Sequence, residues 1–103
     1  MKIKRAIKYF FQRVTRGWDD SDTWSLDDTA AAFILPRLRR FKQVQNGRPY
    51  DIPIEQWEVM LDKMIAAFEF TVSKDRYLNE VEGYKKHQEG LDLFAKYFWN
   101  LWW

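Results

Sequence analysis

Apolar side chains recur every three to four residues along almost the whole chain, and no segment alternates apolar and polar at every second position. That period fixes the class. Each segment carrying it is an amphipathic helix with one apolar stripe, and such a stripe gains stability by being covered. In residues 2–16, Ile3, Ile7, Phe10 and Val14 form one stripe, with Ala6 and Phe11 on its flanks and the bases opposite. Gly17 tolerates the left-handed backbone that ends a helix. A second helix is expected over 25–45: Ser25 offers a capping hydroxyl, Asp27 and Asp28 stand at the positive end of the dipole, and Arg39, Arg40 and Lys42 stand toward the negative end. Its stripe reads Leu26, Ala30, Phe33, Ile34, Leu38 and Phe41, and Asn46-Gly47 closes it. Pro36 falls inside, where a missing N–H and a steric clash predict a kink near Ala32.

Arg48 to Pro53 reads as a loop stiffened by two prolines around Tyr50. A third helix is expected over 54–72, burying Ile54, Trp57, Leu61, Met64, Ile65, Phe68 and Val72 and turning Glu55, Glu58, Asp62 and Glu69 outward. A fourth is expected over 75–101, burying Tyr77, Val81, Tyr84, Leu91, Ala95, Phe98 and Trp102. Four amphipathic helices with short connections predict an all-α compact bundle, a single helical domain over residues 1–103. An aromatic content of 18% implies a core of large flat side chains, with some left for a partner.

The net charge of +2 conceals blocks of alternating sign. Residues 1–16 carry six bases (Lys2, Lys4, Arg5, Lys8, Arg13, Arg16) and no acid, whereas residues 19–28 carry five acids and no base. Residues 37–48 are again purely basic among their charged positions, and 51–69 are acidic apart from Lys63. Consecutive elements of opposite sign attract one another, so the acids after the first helix are expected to face its Lys and Arg.

Several chemistries lack their residues. With no Cys and one His, disulfides and thiolate metal sites are excluded, and any nucleophilic triad has only His87 to draw on. No phosphate-loop, dinucleotide or zincin motif occurs, and the Glu-x-x-His pairs of di-metal bundles are missing. Asp19, Asp20 and Asp22 resemble a calcium loop only superficially: Trp24 stands where the third alternate ligand belongs, and the required Gly and bidentate Glu are absent. No cofactor, metal or small-molecule ligand is indicated, and no catalytic residue is assigned. The MKIKR start has a signal peptide's charge, but Lys8, Gln12 and Arg13 break any apolar core, and the longest apolar run, Ala30 to Leu35, is too short to span a bilayer. The expectation is a cytoplasmic protein, neither secreted nor membrane-spanning.

Four places are candidates for function. Gly83, His87 and Gly90 share one face of the fourth helix, and two helical glycines cost roughly 1 kcal/mol each relative to alanine. The favoured explanation is close approach of another helix with His87 hydrogen-bonded in the contact; the sharper one is a pocket with His87 as acid–base group. Arg37, beside the second stripe, is expected to pair with Asp62 or Glu69 or to grip an anion. Lys4, Arg5, Lys8, Arg13 and Arg16 offer a nucleic-acid contact, whereas a membrane surface is disfavoured because the first stripe is needed for docking on the bundle. At the C-terminus Trp99 and Trp103 share a face apart from the inward Phe98 and Trp102, and exposed tryptophans at a chain end mark a protein contact, self-association being its simplest form.

The segments RGWDDSDTWSLDDTAAAFILPRLRRFK, WEVMLDKMIAAFEF and HQEGLDLFAKYFWNLWW, which cover much of the chain, resemble small all-helical proteins of tailed bacteriophages to which no activity has been assigned. The Trp24-Ser25-Leu26-Asp27 to Leu35-Pro36-Arg37-Leu38 block is the most specific part. The resemblance implies a phage gene product acting in the host cytoplasm or in the particle, and it implies no catalytic residues. The sequence reading is therefore a non-catalytic accessory factor that binds a protein or itself, with nucleic-acid binding through the basic helix and a His87-centred pocket as alternatives.

Overall fold

The protein is all-α, with four helices in a computed structural model that describes residues 2–73 and 81–102. They are α1 (Lys2–Arg16), α2 (Leu26–Val44), α3 (Ile54–Val72) and α4 (Val81–Lys96). The chain forms two compact units, Met1–Ala30 and Ala31–Trp103.

Local chemistry sets most of the helix ends. Gly17 takes φ +83°, and its N–H closes α1 on the Arg13 carbonyl at 2.9 Å. Ser25 stands just before α2, its carbonyl accepting from the Thr29 N–H at 3.0 Å. α2 runs unbroken through Pro36. The ring leaves the Ala32 carbonyl without its helical donor, and beside that gap the Arg37 guanidinium donates to the Phe33 carbonyl at 2.8 Å. α3 starts after Pro53, whose φ of −58° and ψ of 149° lead the chain in from an extended residue.

The end of α4 departs from expectation. Residues 75–80 of the expected helix, Tyr77 among them, lie outside the described residues. At the other end the helix stops at Lys96, five residues earlier than the apolar spacing predicts, and Phe98–Asn100 form a 3-10 turn.

The second unit is built on α3. Trp57, Leu61 and Met64 are fully buried, joined by Ile65, Ala67 and Phe68. Ala31, Leu35 and Leu38 cover them from α2, Ile52 from the preceding loop, and Leu91, Leu93, Phe94 and Tyr97 in part from α4. Gly90 makes the α3–α4 approach possible: a Cβ there would lie 2.3 Å from the Lys63 carbonyl oxygen and 2.5 Å from the Ala67 Cβ. The close-approach explanation of this glycine is thus observed. Exposed ion pairs, Lys42–Asp62 at 2.5 Å and Lys63–Glu89 at 2.7 Å, decorate the contacts. Pairs of this kind contribute at most about 1 kcal/mol each.

Burial corrects the expected stripes in several places. In α2 the buried set is Ala31, Leu35 and Leu38, with Ile34 and Phe41 partly covered, while Leu26, Ala30 and Phe33 are exposed. The inward face is turned by about a quarter of a helical turn from the one the large residues suggest. Small Ala31 joins the buried cluster that holds bulky Trp57, Leu61 and Met64. In α3, Ile54 and Val72 at the ends are exposed, and Ala67 and Thr71 are buried instead. In α4, Val81, Tyr84, Ala95 and, beyond it, Phe98 and Trp102 are exposed, with Gly90 the buried residue. In α1 the stripe is not covered by its own unit: Ile3 is 76% and Val14 67% exposed, with Ile7, Phe10 and Phe11 also exposed.

Candidate binding surfaces

The first unit is organised by its acids. Asp19 caps the 3-10 turn Asp20–Thr23, its carboxylate accepting from the Ser21 N–H at 2.9 Å, from the Ser21 hydroxyl and from Arg13. Asp22 returns the bond, accepting from the Asp19 N–H at 3.0 Å. This is a reciprocal capping box. Asp20 meets Arg16 at 2.7 Å, Gln12 at 2.9 Å and Lys8 at 3.2 Å, and its own N–H donates to the Gln12 side chain at 2.8 Å. Aromatics complete the contact: the Arg16 guanidinium lies 3.8 Å from the Trp18 ring centre, and Trp24 meets Tyr9 edge-on at 5.8 Å with Arg5 over its ring.

The acids therefore face the Lys and Arg of α1, as the alternating charge blocks predict. Of the residues that grip the loop, Arg5, Gln12 and Arg16 lie opposite the stripe of α1, Lys8 and Tyr9 beside them, and Arg13 toward the stripe's margin. Of the five bases proposed for nucleic acid, Lys8, Arg13 and Arg16 are committed to Asp19 and Asp20, so a phosphate there competes with an aspartate already in place. Lys4 and Arg5 have no carboxylate partner among the described residues.

Both aspartates are held below the ordinary carboxylate value of 3.8: Asp19 chiefly by the Ser21 hydroxyl, with burial opposing and Arg13 assisting, and Asp20 chiefly by Gln12, then Arg16 and Lys8. An acid with a depressed folded-state pKa contributes stability above its unfolded value and loses that contribution as pH falls through the folded value. The loop contacts should hold unchanged from neutral pH down to about 4 and release only on further acidification. Near-UV circular dichroism of the Trp18 and Trp24 environment checks this, with Asp20→Asn as the reference lacking the acid; a transition between pH 7 and 5 would contradict it.

His87 sits in the α3–α4 contact. Its Nε2 lies 2.8 Å from the Thr71 hydroxyl oxygen, which also lies 3.1 Å from the Ala67 carbonyl oxygen. The imidazole leans on Phe70 with ring centres 4.9 Å apart. This is the hydrogen-bonded helix contact favoured from the sequence. Arg37 lies elsewhere, exposed, its guanidinium 3.7 Å from the Phe33 ring centre. The expected acids are engaged by other bases, Asp62 by Lys42 and Glu69 by Arg39 at 3.7 Å, so the predicted Arg37 pairing is corrected. The described wall around Arg37 includes none of Gly83, His87 and Gly90. Among the described residues no three His, Asp or Glu side chains are grouped so as to hold a metal ion.

That wall belongs to an open apolar groove of about 660 Å³ in the second unit. Phe33, Ile34 and Phe41 of α2 form one side, and Phe94, Phe98 and Trp102 the other, with Arg37 and Arg40 among its lining residues. Neither arginine has a carboxylate partner among the described residues. Edge-to-face contacts connect buried Phe68 to Phe94 at 5.0 Å, Phe94 to Phe98 at 5.6 Å and Phe98 to Trp99 at 6.4 Å. The ladder carries the core outward to Trp99, which is 88% exposed as its position predicts. Trp103 lies outside the described residues.

Phe33, Phe98 and Trp102 are the lining residues that the helical period misplaces. The signal for the last two is the run of aromatics that follows α4. No family model, curated protein or solved structure matches the chain.

Proposed function

We propose that the protein is a non-catalytic binding module that takes an apolar segment of another protein into the groove between α2 and the C-terminal aromatics. The aromatic ladder carries this reading. Exposed Phe98, Trp99 and Trp102 are costly to leave in water, and Phe98 is braced by edge-on packing back to the core, so little ordering entropy remains to be lost on binding. Arg37 and Arg40 favour a segment with acidic side chains beside its apolar ones. An accessory factor of phage type, working by occupying a surface, fits such a module, and a second copy of the chain is the simplest alternative occupant.

The test is recovery of the tagged protein from its native cells with mass spectrometry, run in parallel for wild type, Trp102→Ala and Arg37→Glu. A protein recovered in near-equal amount with wild type and depleted roughly 30-fold by Trp102→Ala, the loss expected of an aromatic anchor worth about 2 kcal/mol, supports the module. Recovery that neither variant changes would remove the groove from consideration. Light scattering on the same samples identifies a second copy as the occupant.

A further inference from the structure

We propose that α1 is an anchor for anionic lipid surfaces, its Ile3, Ile7, Phe10 and Val14 stripe entering the boundary between headgroups and acyl chains. Unlike most amphipathic helices, α1 has its polar side occupied within its own unit. Asp19 and Asp20 pair there with Arg13, Arg16 and Lys8, and Trp24 packs on Tyr9. Within that unit the stripe on the other side is exposed along its whole length, and no residue of the helix is buried.

Charge selects the occupant. Successive helical residues are about 100° apart, so Lys2 and Lys4 flank Ile3 on its two sides. Neither has a carboxylate partner among the described residues, and residues 2–16 contain no acid. A lysine on each margin can lay its methylenes along the apolar surface and raise its ammonium to lipid phosphates. Such a helix, basic on its margins and carrying Phe and Ile on its apolar face, suits the plane of a charged interface. Nucleic acid would use the lysines but leave the stripe in water. A protein groove would need acids in register on both margins, whereas an anionic bilayer meets every lysine without register. At fifteen residues α1 is about 22 Å long, so it lies on the surface rather than crossing it.

The experiment is co-sedimentation of the full chain with vesicles of phosphatidylcholine alone and of phosphatidylcholine with phosphatidylglycerol in equal parts. Wild type should sediment with the anionic vesicles, release at high salt, and stay in solution with phosphatidylcholine alone. Lys2→Gln and Lys4→Gln should each weaken binding roughly fivefold, and Phe10→Asp should abolish it. All three residues are exposed, so far-UV circular dichroism should show the fold unchanged. Trp102→Ala should bind vesicles as wild type does, which keeps this result separate from the groove. No anionic-vesicle binding by wild type, equal binding to both vesicle types, or light scattering showing an oligomer that Phe10→Asp dissolves would each overturn the proposal.

Discussion

Gly90→Ala should destabilise the second unit by about 2–3 kcal/mol, although the same change in an exposed helix would stabilise it by about 1 kcal/mol. The sign turns on what the methyl meets. An alanine Cβ at this position falls 2.3 Å from the Lys63 carbonyl oxygen and 2.5 Å from the Ala67 Cβ. Contacts between such atoms are favourable only near 3.5–4.0 Å, so α3 and α4 would have to separate by about 1 Å. The obstructing oxygen is backbone in the middle of α3 and has no rotamer to swing away. Separation also draws Phe94 off Phe68 and His87 off Thr71. Adding Ala67→Gly removes one of the two clashes and should restore part of the loss. Thermal denaturation of the single and double variants measures both steps, and a higher Tm for Gly90→Ala would show that the two helices are not in contact at this residue.

The second large effect lies at Trp57, which has no exposed surface. Trp57→Ala should cost about 3–5 kcal/mol, a substantial part of a small domain's stability. The indole does two different things in the core. Its rings fill space and meet Tyr97 edge-on at 5.7 Å, while its N–H has no hydrogen-bond partner among the described residues. An unsatisfied buried donor is itself unfavourable by about 1–3 kcal/mol. Trp57→Phe keeps much of the packing and removes that donor, so it should be milder than Trp57→Ala by at least about 2 kcal/mol. Denaturant unfolding at a constant slope separates the two variants. Equal losses would mean that the N–H is satisfied and contributes as much as the ring.

Legibility from sequence was uneven, and the reason differs by element. The ends of α1 and α3 match the predicted 2–16 and 54–72 because Gly17 and Pro53 act through the backbone itself. α2 runs one residue shorter at each end than its apolar pattern. α4 ends at Lys96 and a 3-10 turn follows, because apolar spacing records which residues can share a face and not where the backbone leaves the helix. The acidic loop was readable as a partner for α1 because opposite charge blocks adjoin in the chain. Its particular bonds, the reciprocal Asp19–Asp22 cap and the Gln12–Asp20 exchange, depend on a turn geometry that charge does not specify.

The candidate sites divide in the same way. Trp99 is exposed and Gly90 marks a close helix approach, and both follow from local position and residue type. The groove was not foreseen, because Phe33, Phe98 and Trp102 lie on helical spacing and were counted as core. Arg37 was expected to find an acid, but Lys42 and Arg39 hold the two candidates, Asp62 and Glu69.

The sequence alone determined the all-α class, four helices and most of their ends, and the pairing of the first acidic block with the first basic one. These follow from period, caps and neighbouring charge, which act over a few residues. Only the tertiary structure decided which stripes are covered: α3 is buried along one face, α2 presents small Ala31 inward in place of Phe33, and the stripe of α1 is left uncovered by its own unit. Period states which side chains share a face. Whether water or another helix meets that face depends on volumes supplied by distant parts of the chain, such as Trp57 in the buried cluster that Ala31 joins and Gly90 admitting α4.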